Sequence, residues 1–333
     1  MKAYGFNSND SSPALFEPAT PEATGHDVLV EIDAIAVNPV DTKVIAAINE
    51  QLESPKVVGW DATGTVRSIG ENVTLFKTGD KVFYAGDLTR PGCYASHQLV
   101  DERLVGHAPK TLTAEQSAVM PLTSITAWEA LFSRLRMTET HDAGKNILII
   151  GGAGGVGSIA IQLAKSIVKL NVIATASRTN SEKWCRELGA DYIINHHSDL
   201  ALQYRGLGIA DPDYILCLND TDRHFSAMAE LIAPQGMICS IVGTQEKHDL
   251  DILKSKSAGF VWEFMFTRPM FKTSDMLKQH QLLNAIANLL DEGKIVSTHK
   301  QTIGAISSKN ISLAHQQLNT GTTLGKIALT AII

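Results

Sequence analysis

Cysteine is scarce in this sequence, and the four present, Cys93, Cys185, Cys217 and Cys239, are far apart with no CxxC pair. A disulfide framework or a structural zinc site needs cysteines clustered or regularly spaced, so the thiols are read as reduced and buried. Blocks of lysine and arginine are missing as well. At a net charge of −6, the chain lacks the clustered cations that nucleic acid or an anionic membrane would require. No apolar run approaches the ~20 residues that span a bilayer, and the opening MKAYGFNSND contains no apolar signal-peptide core. The expectation is a cytoplasmic protein with no nucleic-acid or membrane partner. Hydrophobic residues make up 44% of 333, enough for roughly two domains with a sizeable core.

The first third reads as β structure with many turns. VLVEIDAI (Val28 to Ile35) alternates in part, as a half-buried strand does. From Gly59 to Gly86, short β-branched runs are split by Gly70, Gly79-Asp80 and Gly86, which suggests a small barrel-like β domain. The middle third differs. ILII (Ile147 to Ile150) is wholly apolar, as a strand buried on both faces of a parallel sheet would be. NVIATA, YIIN, DYILCL and GMICSIV follow, mostly separated by helical segments, which implies a parallel, doubly wound sheet. TAEQ (Thr113 to Gln116) fits a capping box that starts a helix near Ala114. Leu283, Ile286, Ala287 and Leu290 fall at helical spacing, with Gly293 as a C-terminal stop. The tail after Lys294 is again β-like. A β-rich domain built from both chain ends, interrupted by a nucleotide domain, is the simplest α/β architecture.

The glycines Gly152, Gly154 and Gly157 form GxGxxG inside GGAGGVG, between a predicted strand and a predicted helix beginning at Ser158. In that context glycine permits a tight turn, close approach of backbone to a pyrophosphate, and close helix–strand packing. The helix N-terminus adds free N–H groups and partial positive charge. The second strand ends in Ala176-Ser177-Arg178 with no carboxylate before Glu182. An NAD enzyme usually offers Asp or Glu there, whereas arginine suits a 2′-phosphate. Ser177, Arg178 and Lys183 therefore predict NADPH. The competing reading of Arg178 is a solvated surface charge.

Taken in order, NPVD (Asn38 to Asp41), GWDATGTVRSIGENVTLFKTGDKV (Gly59 to Val82), GCYASHQLVDE (Gly92 to Glu102), LTSITAWEAL (Leu122 to Leu131), GGAGGVG and LGKIAL (Leu324 to Leu329) resemble the medium-chain dehydrogenase/reductase family, and within it the quinone oxidoreductase branch. WEFMFTRPMF (Trp262 to Phe271) resembles a bacterial subgroup labelled zinc-type alcohol dehydrogenase-like. The resemblance covers nearly the whole chain. It implies a GroES-like catalytic domain over residues 1–121 and 288–333 and a Rossmann domain over 122–287, with the active site in the cleft between them. It also implies that Thr126, Gly155, Val156, Asn219, Gly243, Leu324, Gly325 and Lys326 line the cofactor. Asn38 would lie near the nicotinamide and the substrate oxygen. Asp41 would orient it or relay a proton, Trp60 would form an apolar wall and Asp61 a polar edge. A turn-capping carboxylate is the plainer reading of Asp41, and a packed core aromatic that of Tyr94.

Zinc-dependent members of the family carry a catalytic Cys in the segment matching NPVD and a His in a Gly-His-Glu. Asn38 and Gly59-Trp60-Asp61 stand there instead, and neither asparagine nor tryptophan supplies a thiolate or imidazole to zinc. His97 and His196-His197 are read as adventitious, so no metal is expected. Without a Lewis acid, hydride delivery to a conjugated electrophile, a quinone or an α,β-unsaturated carbonyl, suits the site better than alcohol oxidation. Two alternatives stay open: a true alcohol dehydrogenase with an unrecognised metal site, and a non-catalytic NADPH-binding structural or redox-sensing protein. By the same resemblance, Gly259 to Phe271 holds the last Rossmann strand and pairs with its two-fold mate in a homodimer. An open edge carrying Val261, Phe264 and Phe266 would otherwise invite aggregation.

Overall fold

The strand Asn146–Ile150, apolar after its first residue, is buried along its entire length, and it organises the sheet around it. The computed structural model describes residues 1–8, 10 and 12–333 and divides into two compact units. One comprises Met1–Ile125 with Phe266–Ile333, the other Thr126–Met265. In the second unit six strands run parallel in the order Tyr192–Ile194, Asn171–Thr175, Asn146–Ile150, Tyr214–Cys217, Met237–Ser240, Gly259–Trp262. Numbered by sequence this is 3-2-1-4-5-6, the doubly wound order of dinucleotide-binding sheets. Each apolar run read from the sequence coincides with one of these strands to within a residue or two. The helix expected to begin at Ser158 starts earlier, at Gly155, and is α-helical to Leu163. It then widens into a π-turn at Ala164–Val168.

The first unit is built from both chain ends. The strand Lys326–Thr330 pairs antiparallel with Asp27–Ala36, setting Ala328 opposite Ala36. Its seven-stranded sheet runs His299–Ala305, Lys326–Thr330, Asp27–Ala36, Ala62–Ile69, Lys81–Tyr84, Val105–His107, with His97–Asp101 also on Asp27–Ala36. The capping box forms: the Thr113 hydroxyl accepts from Gln116 N–H, and the Gln116 side chain accepts from Thr113 N–H. Leu283, Ile286, Ala287 and Leu290 are the buried face of the helix Leu277–Asp291.

Two boundaries differ from the expectation. The second junction between units lies at Met265/Phe266, not near residue 288. The helix Leu277–Asp291 thus belongs to the β-rich unit, where it packs on Val105–His107. The stretch from Gly259 to Phe271 does hold the last strand of the sheet, but only Gly259–Trp262 lies in it, so Phe264 and Phe266 are not on the strand edge. It leaves the sheet after Trp262 and turns into the helix Thr267–Phe271. Phe266 is accordingly no edge residue: it is buried against Trp60. Trp262 and Phe264 remain exposed at the sheet's outer side, at 47% and 45%.

Candidate active site

In the second unit the carboxyl ends of the parallel strands collect the residues assigned to a dinucleotide. The glycine turn follows Asn146–Ile150, and Ser177-Arg178 follows Asn171–Thr175. Asn219 follows Tyr214–Cys217, and Gly243 follows Met237–Ser240. A methyl group at Gly151 would come within 3.6 Å of Asn219 Cβ, so the first and third of these ends adjoin. At Gly157 a Cβ would lie 2.4 Å from the Gly151 carbonyl. That contact explains the last glycine of the motif: the helix and the turn touch backbone to backbone. Gly154 faces the other way, with only the Gly151 oxygen near, at 3.7 Å. A tight backbone cradle, open on one side, at the N-terminus of the helix Gly155–Leu163 fits a pyrophosphate.

Sequence reasoning missed two side chains beside this edge. Thr175 Oγ1 accepts from Gly151 N–H at 2.9 Å and meets His196 Nδ1 at 3.2 Å. His196, read as adventitious, is half-buried, and burial with neighbouring cations lowers its pKa to about 4. Its position at the end of a strand was the available signal. Lys183 sits apart from the cradle residues on the exposed side of the helix Thr179–Glu187, 3.8 Å from the Glu187 carboxylate. Arg178 stands at that helix's N-cap, and Thr126 is buried at the start of the unit.

In the β-rich unit the structure assembles Asn38, Asp41, Asp61 and Lys326. Pro39 fits the first turn of the helix Pro39–Ala46, and Asn38 caps it in an extended conformation. Asp41, one turn in, accepts from Asn38 N–H at 2.8 Å, which is the capping role read from the sequence. The Asn38 side chain lies between two charges. Its Nδ2 donates to Asp61 Oδ2 at 3.1 Å, and its Oδ1 accepts a short bond from Lys326 Nζ. Lys326 Nζ also donates to the Val37 carbonyl at 2.8 Å and pairs with Asp61 Oδ2 at 3.0 Å. Leu122 N–H donates to Asp61 Oδ1 at 2.9 Å. Burial pushes the Asp61 carboxyl up from the ordinary range, against the opposing pull of Lys326 and these donors. Lys326 follows Gly325 and half-buried Leu324, but its ammonium is engaged inside this network.

Asp41 and Tyr94 are fully buried. Tyr94 OH donates to Asp41 Oδ2 at 2.8 Å and meets His315 Nε2 at 2.8 Å. Its ring lies over Gly59, whose φ of +100° and absent Cβ leave the space: a methyl group there would sit 2.4 Å from the tyrosine ring. The expectation of a merely packed Tyr94 is thus incomplete, and His315, 221 positions away, was not anticipated. Burial raises the Asp41 pKa to about 7 despite the Asn38 and Tyr94 hydrogen bonds. Trp60, expected as an apolar wall, is fully buried, and its Nε1–H donates to the Asp87 carbonyl at 3.1 Å. The four cysteines are free and buried. Burial pushes the Cys93 thiol far above its ordinary value, so it is no nucleophile. Among the described residues, no three His, Cys, Asp or Glu side chains cluster to hold a metal ion, and no helix is long and apolar enough to cross a membrane.

Two family profiles match, "Alcohol dehydrogenase GroES-like domain" over residues 24–122 and "Zinc-binding dehydrogenase" over residues 188–329. A zinc-type alcohol dehydrogenase-like protein of Staphylococcus aureus is 43% identical over 95% of this chain and 94% of its own length. A crystal structure from Rhizobium etli, described as a zinc-dependent alcohol dehydrogenase protein, is 44% identical and superposes with a TM-score of 0.94 over 99% of this chain and 98% of that one. The quinone oxidoreductase of Coxiella burnetii is 25% identical, with a TM-score of 0.82 over 99% of both chains. The chain belongs to the medium-chain dehydrogenase/reductase superfamily, whose members joining a GroES-like and a Rossmann domain are oxidoreductases.

Proposed function

We propose that this protein reduces a quinone or an α,β-unsaturated carbonyl compound with NADPH, without a metal ion. The carrying observation is the way Asn38 is held. An amide –NH₂ has two donor hydrogens. One is committed to Asp61, while Lys326 fixes the carbonyl end, so the second hydrogen has a set direction. A donor locked before the reaction is what a developing oxyanion needs, because no reorganisation is then required. The chemistry of the donor set also disfavours zinc: an amide and an enclosed, hydrogen-bonded indole stand at the ligand positions of the zinc enzymes. The likeness to a quinone oxidoreductase agrees with this acceptor class.

The Gly152, Gly154, Gly155, Val156 and Gly157 backbone would hold the pyrophosphate, and Ser177 with Arg178 the 2′-phosphate. NADPH, when bound, supplies the hydride. Asn38, held at its two ends by Lys326 and Asp61, would donate to the oxygen of the acceptor, and the buried carboxyl of Asp41 is the nearby group able to hold a proton near neutral pH. The test is turnover of NADPH by the purified chain with a panel of small quinones and enones in the presence of a chelator. Turnover is expected, and Asn38→Ala should lower kcat by about 10²-fold, the scale of one lost oxyanion donor. Absence of turnover across the panel would refute the reading.

A further inference from the structure

Of the three side chains in the Asp41–Tyr94–His315 chain, two are at 0% exposure and one, His315, keeps 8%. The chain of hydrogen bonds therefore begins at the edge of solvent and ends on a carboxyl adjoining Asn38. At that inner end Asp41 Oδ1 is buried with no hydrogen-bond partner among the described residues. A buried carboxylate oxygen left without a donor is costly, and the cost falls if that oxygen carries a proton. Asp41 Oδ2, by contrast, accepts from both Asn38 N–H and Tyr94 OH. The two oxygens are thus differentiated, one receiving and one open.

We propose that His315, Tyr94 and Asp41 form a proton-transfer line that delivers the proton completing reduction of the acceptor. The proposal rests on the reductase reading above and names its proton donor. In the step, Asp41 loses its Oδ1 proton to the reduced acceptor. His315 takes up a solvent proton on its other ring nitrogen as its Nε2 proton passes to the Tyr94 oxygen and the Tyr94 hydroxyl proton passes to Oδ2. One proton enters at the imidazole and one leaves at the carboxyl. With the hydride, the acceptor gains two hydrogens in all.

The energetics run inward. Burial lowers the His315 pKa to about 4 while raising that of Asp41 to about 7, so the imidazole carries the proton only transiently and the carboxyl retains it. The groups facing Asp41 are Tyr94, Asn38 N–H, the Lys326 ammonium, which favours ionisation, and the Asp61 carboxylate, which opposes it. His315 is packed between the rings of Phe6 and Tyr94, at centroid distances of 6.0 and 5.8 Å.

Tyr94→Phe and His315→Phe keep the ring packing and each break the line at one atom. Two measurements on the full-length protein decide. The first needs no substrate: rapid dilution into D₂O with infrared detection of the Asp41 carboxyl band, assigned by its loss in Asp41→Asn. Exchange should slow on the order of tenfold or more in either variant, since a positioned proton carrier has been removed. A loosened, misfolded site would exchange faster instead, and unchanged or faster exchange would overturn the proposal. The second is kcat with an enone: both variants should lose about 10²-fold, with a larger solvent isotope effect, and His315→Ala should be partly rescued by imidazole. Full activity in both variants would also overturn it. If the native protein turned over no acceptor but exchange still slowed, the reductase reading would fail while the proton line stood.

Discussion

Asp41→Asn should change how stability depends on pH, and the sign is fixed by the structure. Asp41 has its pKa raised from 3.8 to about 7. Between those values the folded protein holds a proton that the unfolded chain has released, so this group's contribution to stability is full at low pH and is lost as pH rises toward 7. His315 is the mirror case. Its pKa falls from 6.5 to about 4, so its contribution is present above 6.5 and lost as pH falls toward 4. Each slope is about 1.4 kcal/mol per pH unit. Between pH 4 and 6.5 they oppose each other, and from this pair the native protein should show little net dependence. Asp41→Asn removes one arm. From pH 5 to 6.5 the variant should gain about 2 kcal/mol relative to the native protein, or about 4–8 °C in Tm for a unit of this size. His315→Phe should lose a similar amount over the same interval. The lost Asp41 hydrogen bonds add an offset, but an offset does not alter a slope, and Asp61 and Lys326 face the site equally in all three proteins. Thermal unfolding followed by circular dichroism across this range is sufficient. Parallel pH profiles for the three proteins would refute the reasoning.

Three further outcomes are expected. Arg178→Ala should weaken NADPH binding by about 1–3 kcal/mol and leave NADH nearly unchanged, the signature of a lost charge-assisted bond to the 2′-phosphate; titration calorimetry with both nucleotides checks this, and equal losses would refute it. Elemental analysis should find well below one zinc per chain, and chelator should leave turnover intact; a stoichiometric zinc required for activity would reverse the metal-free proposal. Light scattering at micromolar concentration should show a dimer closed along the edge strand Gly259–Trp262, and Phe264→Lys, at a residue 45% exposed, should shift it toward monomer without unfolding; a monomeric native protein would refute this.

Much of the architecture was legible because it is written locally. Asn146–Ile150 has no polar interruption after its first residue, and such a run has few homes other than a doubly covered sheet. GGAGGVG carries its own steric logic. The helix Leu277–Asp291 was legible as a helix from its spacing, but periodicity does not say what a face packs against. Its partner, the strand Val105–His107, lies far away in sequence, so its unit could not be read. The end of the last Rossmann strand was blurred for a related reason. Val261, Phe264 and Phe266 look alike as letters, yet one is half-buried in a strand, one exposed and one buried in the other unit. The capping box at Thr113 needed only four residues and was read correctly. The Tyr94–His315 bond needed two elements brought together by the whole fold, and nothing near His315 announces it.

The polar network in the β-rich unit is hard to explain as a device for stability. Removing two charges from water costs several kcal/mol per ion, and a buried pair often does no better than well-packed apolar residues of the same volume. Here Asp61 and Lys326 are at 0% and 5% exposure, and a third ionisable group, Asp41, sits alongside with one oxygen unsatisfied. What such a network does supply is direction. Lys326 and Asp61 hold the two ends of the Asn38 amide so that flipping it would set like poles together, carbonyl against carboxylate and –NH₂ against ammonium. Asp41 in turn holds the Asn38 backbone through the helix cap. In the proposed reaction the same residues would fix the donor to the oxyanion and adjoin the carboxyl that would carry the proton. A hydride acceptor needs both at one place, and an apolar core of equal stability would provide neither.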